Sequence, residues 1–160
     1  AIQDMVAMQL TEGGNGEMWM ASNTHGVVRI QGSGHSLNGY TLSAYSVVNG
    51  KLNSNYADCI YKDIEGRIWV GTGGSGLSLY DAVEDRFLPV HQLWNLPGDA
   101  VTSIQSDKKG DLWLGTNAGL LKLTVPKDLQ NVTYRLYTTS DGLQDNLFNR
   151  GASCEAPDGE

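Results

Sequence analysis

The sequence contains little charge, little proline and little cysteine. Of its 160 residues, 18% are charged, 4 are proline and 2 are cysteine, Cys59 and Cys154. Neither cysteine belongs to a spacing of metal ligands, so no zinc site, and no other metal or cofactor, is expected. The simpler interpretation of the two cysteines is as small buried side chains, and a disulfide between them stays open.

Long apolar runs and clusters of basic residues are also missing. Without a stretch of about 18 apolar residues, no membrane-spanning helix is predicted, and the first residues lack the pattern of a signal peptide. The net charge is −7, and Lys108 and Lys109 are the only adjacent basic residues. Because nucleic-acid binding needs a basic surface, no nucleic-acid partner is expected.

Glycine is abundant, with 20 residues, and no segment sustains a helical period. Many tight turns between short strands are therefore expected, with at most one short helix. The strands follow a repeat centred on Trp19, Trp69 and Trp113, which are spaced by 50 and 44 residues. Each tryptophan has a glycine three residues before it and a serine or threonine three residues after it. A second glycine then begins an alternating apolar stretch, at Gly26, Gly76 and Gly119.

A period of 40–50 residues with four short strands is typical of a β-propeller blade. The sequence thus predicts an all-β, partial β-propeller with three four-stranded antiparallel blades and the first strand of a fourth. The predicted blades are residues 1–50, 51–97 and 98–143, with the fourth starting in 144–160. The outer strands are predicted near residues 40–47, 86–92 and 133–137.

Three blades cannot close a ring, which usually holds about 4–8 blades. We expect Trp69 and Trp113 to be buried between blades, and Trp94, outside the motif, to be more exposed. Apolar surface is expected around Met18 and Met20 of the first blade and along the start of the fourth, near residues 147–155. Self-association of the chain is the expected consequence.

The repeat resembles that of the two-component regulator propeller family. The resemblance lies in the order Ile-x-x-Asp-x-x-Gly-x-Ile/Leu-Trp-Val/Leu-Gly-Thr followed by Gly-Leu, which residues 63–80 and 107–123 match closely. Residues 5–30 match more loosely, with Gly13 in place of the aspartate. Residues 137–146 are similar to the segment that joins repeats in that family.

This resemblance implies the periplasmic sensor region of a hybrid two-component system. It implies an oligosaccharide ligand and a signal to a histidine kinase on the same polypeptide. Further partners implied are the remaining blades and an immunoglobulin-like connector, since residues 146–152 look like the end of such a propeller. The alternatives are a propeller glycan hydrolase or lyase, or a purely structural or protein-binding propeller.

Two other motifs are better explained as turns. Residues 71–76 fit the GxGxxG pattern of dinucleotide-binding proteins, but the segment after Gly76 is predicted as a strand where that fingerprint needs a helix. The turns that begin at Asp63 and Asp107 offer too few carboxylates for a calcium loop. An aspartate that caps a turn is the favoured interpretation.

No catalytic residues are predicted. His25, His35 and His91 have no acid beside them in the repeat register, and no pair of carboxylates is singled out by the sequence. Candidate ligand-binding residues lie in the loops between strands two and three and between blades, because these loops share one end of a propeller. They are Asn23, His25, Asn55, Tyr56, Asn117, Asp145 and Asn146, with Thr24, Asn53 and Asp141 nearby.

Overall fold

The structure, a computed structural model, describes residues 4–32, 39–151 and 153. These residues form three four-stranded antiparallel sheets, each with its strands in sequence order. The strands are β1 (Ala7–Gly14), β2 (Glu17–Ser22), β3 (Gly26–Gly32), β4 (Tyr40–Tyr45), β5 (Ala57–Lys62), β6 (Ile68–Thr72), β7 (Gly76–Asp81), β8 (Arg86–Leu88), β9 (Val101–Ser106), β10 (Leu112–Thr116), β11 (Leu120–Thr124) and β12 (Thr133–Tyr137). The described helices are α1 (Val90–Leu93) and a 3-10 turn (Thr139–Asp141). The predicted all-β architecture of three four-stranded blades is confirmed.

Each repeat tryptophan lies on the second strand of its blade, and side chains that are directly opposite across the strands share a face. Trp69 on β6 is opposite Tyr61 on β5 and Leu79 on β7. We call this the Trp face of a blade and the opposite side its front face. In the second blade the front face carries Ile60 and Val70, which are also opposite one another.

The blades pack with the Trp face of one against the front face of the next. Two buried clusters show this order. The first joins Trp19, Ala21, Val27 and Tyr45 of the first blade to Ile60, Ile68, Val70 and Phe87 of the second. The second joins Cys59, Trp69, Leu77 and Leu79 of the second blade to Ile104, Leu112, Leu114, Leu121 and Leu123 of the third. Both contacts between blades therefore have the same orientation, with the Trp face of the earlier blade against the front face of the later one.

The glycine two residues after Trp69 allows close approach between blades; Gly115 is its equivalent after Trp113, and Ala21 takes this position in the first blade. A Cβ on Gly71 would lie 2.4 Å from Sγ of Cys59 and 2.6 Å from the carbonyl oxygen of Val101, on the first strand of the third blade. A side chain at this position would push the inner strand of the next blade away. The Trp-Val/Leu-Gly order of the repeat thus follows from packing as much as from turn geometry.

Trp113 corrects one expectation. Trp19 and Trp69 are fully buried, but Trp113 is only half-buried. Its ring stacks on Tyr137 at a centroid distance of 5.7 Å and an interplanar angle of 22°. Trp113 is therefore still partly buried, but not between blades as expected, because, among the described residues, no further blade covers the Trp face of the third.

At the other end of the stack, the front face of the first blade is exposed. Leu10, Met18 and Leu42 are 53%, 37% and 50% exposed. Met18 pairs with Ile30 and Ile30 with Leu42, while Leu10 pairs with Met20, two residues from Met18 on the same strand, so all lie on one side of the sheet. The apolar surface expected around Met18 and Met20 is therefore present. Trp19 does not belong to it, because it faces the second blade.

The outer strand of the second blade is shorter than predicted. β8 ends at Leu88, whereas the sequence pattern extended it to residue 92. Pro89 follows and has no N–H to donate to a ladder, and α1 begins at Val90. Trp94, after this helix, is partly buried with its ring 6.0 Å from that of Trp69. It is therefore more exposed than Trp69, as expected, and is partly buried like Trp113.

The described residues of the expected fourth strand, 147–151 and 153, run beside β9 without forming a strand of their own. The backbone N–H of Gly151 donates to the carbonyl oxygen of Thr102 at 3.4 Å. The rest of that segment, including Cys154, lies outside the described residues, as does His35. Cys59 is a buried free thiol, and its burial raises its pKa.

Candidate functional site

The loops proposed to carry ligand-binding residues do lie together at one end of the blades. The N–H of Gly26, after the turn between β2 and β3, donates to the carbonyl oxygen of Asn55 at 2.9 Å. Gly73 N–H donates in the same way to Tyr56, at 3.0 Å, and Asn117 N–H to Ala100, at 3.3 Å. Each turn between the second and third strands therefore rests on a connection between blades, as the predicted topology requires.

Part of the predicted set lines one cavity of this loop end. His25, Asn55 and the neighbouring Thr24 lie around a space of about 210 Å³, together with Met5 and Val28. Nδ1 of His25 is 2.7 Å from Oγ1 of Thr24. Oδ1 of Asn55 accepts a hydrogen bond from the backbone of Val47 at 3.0 Å, so that side chain also holds its own loop.

The other predicted residues do not line this cavity. Tyr56 is 60% exposed, and Oδ1 of Asn23 is buried without a hydrogen-bond partner among the described residues. Asn117 accepts hydrogen bonds from the N–H groups of Asp99 and Ala100 at 3.0 and 3.2 Å.

Asp145 and Asn146 also support backbone. Oδ1 of Asn146 accepts from Thr139 N–H at 2.8 Å, and Oδ1 of Asp145 accepts from Leu147 N–H at 3.1 Å. Nearby Asp141 accepts from Thr138 N–H at 2.9 Å. These side chains therefore have turn-stabilising hydrogen bonds of the kind that asparagine and aspartate commonly form.

The Asp-Gly turns are structural, as predicted, and they also bind the repeat tryptophan. Oδ1 of Asp63 accepts from the N–H groups of Glu65 and Arg67 at 3.0 and 2.9 Å. Its Oδ2 accepts from Nε1 of Trp69 at 2.8 Å. Across the described part of the chain, no group of three or more metal-ligating side chains is present.

Residues 71–76 form the end of β6, a turn and the start of β7. Oγ1 of Thr72 donates to the carbonyl oxygen of Gly76 at 3.0 Å and accepts from Ser75 N–H at 3.1 Å. His91 packs over Gly76, where a Cβ would lie 2.2 Å from its ring, and its Nε2 is 2.6 Å from the carbonyl oxygen of Gly98. This hairpin turn, with a histidine that packs against it, has no phosphate-binding helix.

The innermost strands share an irregularity that the sequence did not reveal. Pairing skips one residue between Ala7 and Gln9 on β1 and between Ala57 and Cys59 on β5. β9 has the equivalent shift opposite Gly115 and Thr116. The skipped residues, Met8, Asp58 and Thr102, are β-bulges, which commonly redirect a side chain at a functional site.

Asp58 lies in a polar cavity formed by all three blades. The cavity measures about 270 Å³ and is lined by Met8 and Gln9 of β1, Asp58 of β5, Ser103 and Gln105 of β9, and Arg150, Gly151 and Ser153. The Asp58 side chain is 1% exposed, and Nε of Arg150 lies 2.8 Å from its Oδ1. Both carboxylate oxygens are buried, and neither has a partner in hydrogen-bond geometry among the described residues, so the contact with Arg150 is an ion pair. Burial raises the pKa of Asp58, and the Arg150 guanidinium opposes that rise.

Arg150 reaches this cavity because the preceding segment is tied to the third blade. Phe148 N–H donates to the carbonyl oxygen of Thr116 at 3.3 Å. Oγ1 of Thr102, a bulge residue, donates to the carbonyl oxygen of Phe148 at 3.0 Å. The guanidinium is half exposed, whereas its carboxylate partner is buried.

Sequence reasoning missed Asp58, Arg150 and the polar residues of β9. The available signal was a carboxylate between Ala57 and Cys59, in a strand that is otherwise buried. Buried aspartates are rare unless they are paired, so an aspartate at this position indicated a buried carboxylate with a partner elsewhere in the fold. The partner, Arg150, is 92 residues away in the chain, and only the fold brings it near.

Comparison with known proteins gives a consistent picture. The model of the family "Two component regulator propeller" matches residues 51–74 and 95–118. The structure is similar to the extracellular domain of a putative hybrid two component system from B. thetaiotaomicron, with a TM-score of 0.69 and 23% identity. That match covers 88% of this chain and 18% of the other.

Two further structures share the fold. A second extracellular domain of a putative hybrid two component system from B. thetaiotaomicron has a TM-score of 0.69 and 20% identity, over 90% of this chain and 20% of the other. A catalytically inactive virginiamycin B lyase from Staphylococcus aureus, solved with quinupristin, has a TM-score of 0.57 and 15% identity, over 84% of this chain and 42% of the other.

The chain thus spans about one fifth of the length of the extracellular domains it resembles. None of the curated proteins matches it significantly. Within the described residues, no helix is long and apolar enough to cross a membrane. Residues 51–74 and 95–118 thus match two-component regulator propeller repeats, and the described blades share the fold of the similar extracellular domains.

Proposed function

We propose that this chain is part of the periplasmic sensor region of a hybrid two-component system, that it recognises an oligosaccharide, and that binding is signalled to a histidine kinase elsewhere in the polypeptide. The matched repeats and the similarity to extracellular domains of such systems support this proposal. In the full protein, further blades and an immunoglobulin-like connector complete the sensor region.

The observation that carries the proposal is the polar cavity across the three inner strands. Its walls combine a carboxylate, a guanidinium, two amides and two hydroxyls, contributed by β1, β5, β9, Arg150 and Ser153. Groups of this kind exchange hydrogen bonds with sugar hydroxyls. A site shared by several blades also suits a sensor, because a ligand there stabilises their relative positions.

The composition of the cavity favours binding without turnover. Glycoside hydrolysis generally uses two carboxyl groups on either side of the scissile bond. Asp58 supplies the one carboxylate among the described cavity residues, and it is engaged by Arg150. We therefore propose a non-catalytic role, with a propeller lyase or hydrolase as the alternative. The similarity to virginiamycin B lyase supports the shared fold alone.

Calorimetric titration of the purified chain with a panel of plant, host and microbial oligosaccharides tests this proposal, with chromatography of each mixture after prolonged incubation. Saturable binding of at least one glycan, recovered intact, is the expected result. Cleavage that is lost in an Asp58→Asn variant would favour the enzyme alternative. A folded chain that binds nothing in the panel would contradict carbohydrate recognition.

A further inference from the structure

We propose that the cavity around Asp58 is a subsite for one neutral sugar residue, whose adjacent hydroxyls are held by Asp58 and Arg150. This inference rests on the proposed carbohydrate recognition. It adds where the sugar binds, that the sugar is uncharged, and which two residues hold its hydroxyls. The cavity is separate from the loop cavity around His25, which shares none of its lining residues.

The charge class follows from the ion pair. Asp58 and Arg150 are the two charged residues among the described lining residues, and they are 2.8 Å apart at Nε and Oδ1. Their formal charges cancel, so the empty cavity is neutral overall. A ligand with a net charge would leave one charge uncompensated beside a buried group, which is unfavourable. A neutral polyol avoids this cost.

The hydrogen-bonding groups define the complementary ligand. Both carboxylate oxygens of Asp58 are buried acceptors without a hydrogen-bond partner among the described residues, apart from the ion-pair contact of Oδ1 with Arg150, and buried polar atoms of this kind normally have a partner. Arg150 has further N–H donors besides Nε. Adjacent sugar hydroxyls match this arrangement, since one donates to the carboxylate while its neighbour accepts from the guanidinium.

The remaining walls extend the same pattern. Oε1 of Gln9 accepts from Ile60 N–H at 3.2 Å, which orients the amide and leaves its amino group as a donor. Ser103 and Gln105 add hydroxyl and amide groups from β9, and Met8 adds an apolar surface for ring C–H groups. At about 270 Å³, the cavity is smaller than the roughly 300–1,000 Å³ typical of drug-sized ligands. One sugar residue, free or at the end of an oligosaccharide, suits this volume.

The methionines of the chain are natural reporters for this site. Met8 lines the Asp58 cavity, Met5 lines the His25 cavity, and Met18 and Met20 lie on the front face of the first blade. With ¹³C-methyl methionine, each methyl signal in an NMR spectrum is assigned by single substitution to leucine. Titration with glucose, galactose, mannose, xylose, arabinose and rhamnose, with glucuronic acid and glucosamine as charged comparators, then locates binding.

The expected result is a saturable shift of the Met8 signal with at least one neutral sugar and no saturable shift with the charged comparators. Asp58→Asn should weaken that binding at least tenfold, since the carboxylate acceptor and the ion pair are both lost. Met8→Trp, followed by calorimetry, should abolish binding because the larger side chain fills the cavity while both charged residues remain. Asp128→Asn, which changes an exposed carboxylate in the turn between β11 and β12, is the matched control and should bind like the wild type.

The outcomes separate this inference from the proposed function. If sugars shift Met5 instead of Met8, or if Asp58→Asn and Met8→Trp bind normally, the Asp58 subsite is wrong while carbohydrate recognition stands. If only charged sugars bind at Met8, the neutral class is wrong. If the folded wild type binds none of these sugars and no oligosaccharide, both proposals fail. Circular dichroism of each variant confirms that it is folded before binding is compared.

Discussion

At the scale of single residues, the aspartate of the first turn and the tryptophan six residues later act as one unit. Oδ2 of Asp63 accepts from Nε1 of Trp69 at 2.8 Å, and Oδ2 of Asp107 accepts from Nε1 of Trp113 at 3.1 Å. In the first blade Gly13 takes this position, and a Cβ there would lie 2.6 Å from Nε1 of Trp19. The looser match of the first repeat therefore reflects a ring that sits closer to its turn.

Replacement of Asp63 by alanine should be strongly destabilising. The Asp63 side chain is fully buried and pairs with Arg67 at 2.6 Å, so its removal leaves buried donors without a partner. Loss of one member of a buried pair costs about 3–5 kcal/mol. Asp107→Ala is the matched variant, and because the Asp107 side chain is 25% exposed, it should cost clearly less. Urea unfolding measures both, and equal losses would contradict the role of burial.

Replacing the tryptophans by alanine should likewise cost more stability where the ring is more deeply buried. Trp69→Ala should reduce the free energy of unfolding by about 3–5 kcal/mol, the usual range for a core aromatic residue. Trp113→Ala and Trp94→Ala should cost less, because both rings are partly exposed. Chemical denaturation of the three variants, at concentrations where the chain is monomeric, gives the order, and a loss at Trp113 as large as that at Trp69 would contradict the partial exposure of the Trp113 ring.

Sequence reasoning at this scale succeeded where a residue type has one usual role. The Asp-Gly turns and the burial of Trp69 followed from turn chemistry and from the repeat. Asp58 and the exposure of Trp113 did not, because both depend on what lies across the fold. The predicted loop residues remain untested as ligand contacts, although several have hydrogen bonds that hold turns.

At the scale of elements, Asp85 joins the first two blades. The residue lies in the turn between β7 and β8, and its Oδ1 accepts from the hydroxyl of Tyr45 on β4 at 2.7 Å and from that of Tyr80 at 2.9 Å. Lys51, in the connection between the blades, forms an ion pair with it. Hydrogen bonds from Lys51 and Tyr45 lower the pKa of Asp85 from 3.8 to about 2.

This lowered pKa predicts a window of pH dependence. A carboxyl group whose pKa is lower in the folded state stabilises the fold above its unfolded value, and that contribution is lost as the pH falls through the folded value. The difference in unfolding free energy between wild type and Asp85→Asn should therefore be constant above about pH 5 and shrink between pH 4 and pH 2. Urea titrations at several pH values measure it, and a difference that does not change in this range would refute the proposed contacts.

Strands were largely predictable because side-chain alternation and turn residues determine them locally. β8 was overextended because the apolar pattern continues past Pro89 into α1. The bulges at Met8, Asp58 and Thr102 had no signature in the pattern, since one extra residue in a short strand does not disturb the alternation enough to be seen. The cavity that depends on these bulges was consequently missed.

At the scale of the whole molecule, the stack of blades has two unlike ends. One end is the front face of the first blade, with Leu10, Met18 and Leu42 exposed. The other is the Trp face of the third, with Trp113 stacked on Tyr137. Within the chain, faces of these two kinds cover one another twice. The number of blades in a closed ring could not be predicted from the sequence. The two exposed end faces show which kinds of face pack together, but not how many blades lie between them in a ring.

Two copies of the chain should therefore associate, with the front face of each against the Trp face of the other. Six blades would then close a two-fold ring, which lies within the usual range of about 4–8 blades. Met18→Lys places a charge in the middle of the front face and should prevent association. Val83→Lys is the matched control, because Val83 is an apolar residue that is 90% exposed in the turn between β7 and β8.

We expect the front face of every blade to pack against the Trp face of another blade, either within the chain or in a second copy. Sedimentation velocity at micromolar concentration tests this packing rule most directly. The wild type and Val83→Lys should sediment as a species of twice the 17.3 kDa chain mass, and Met18→Lys as the monomer. A wild type that stays monomeric and unfolds cooperatively across the same concentrations would contradict the claim, because its exposed faces would then need no partner.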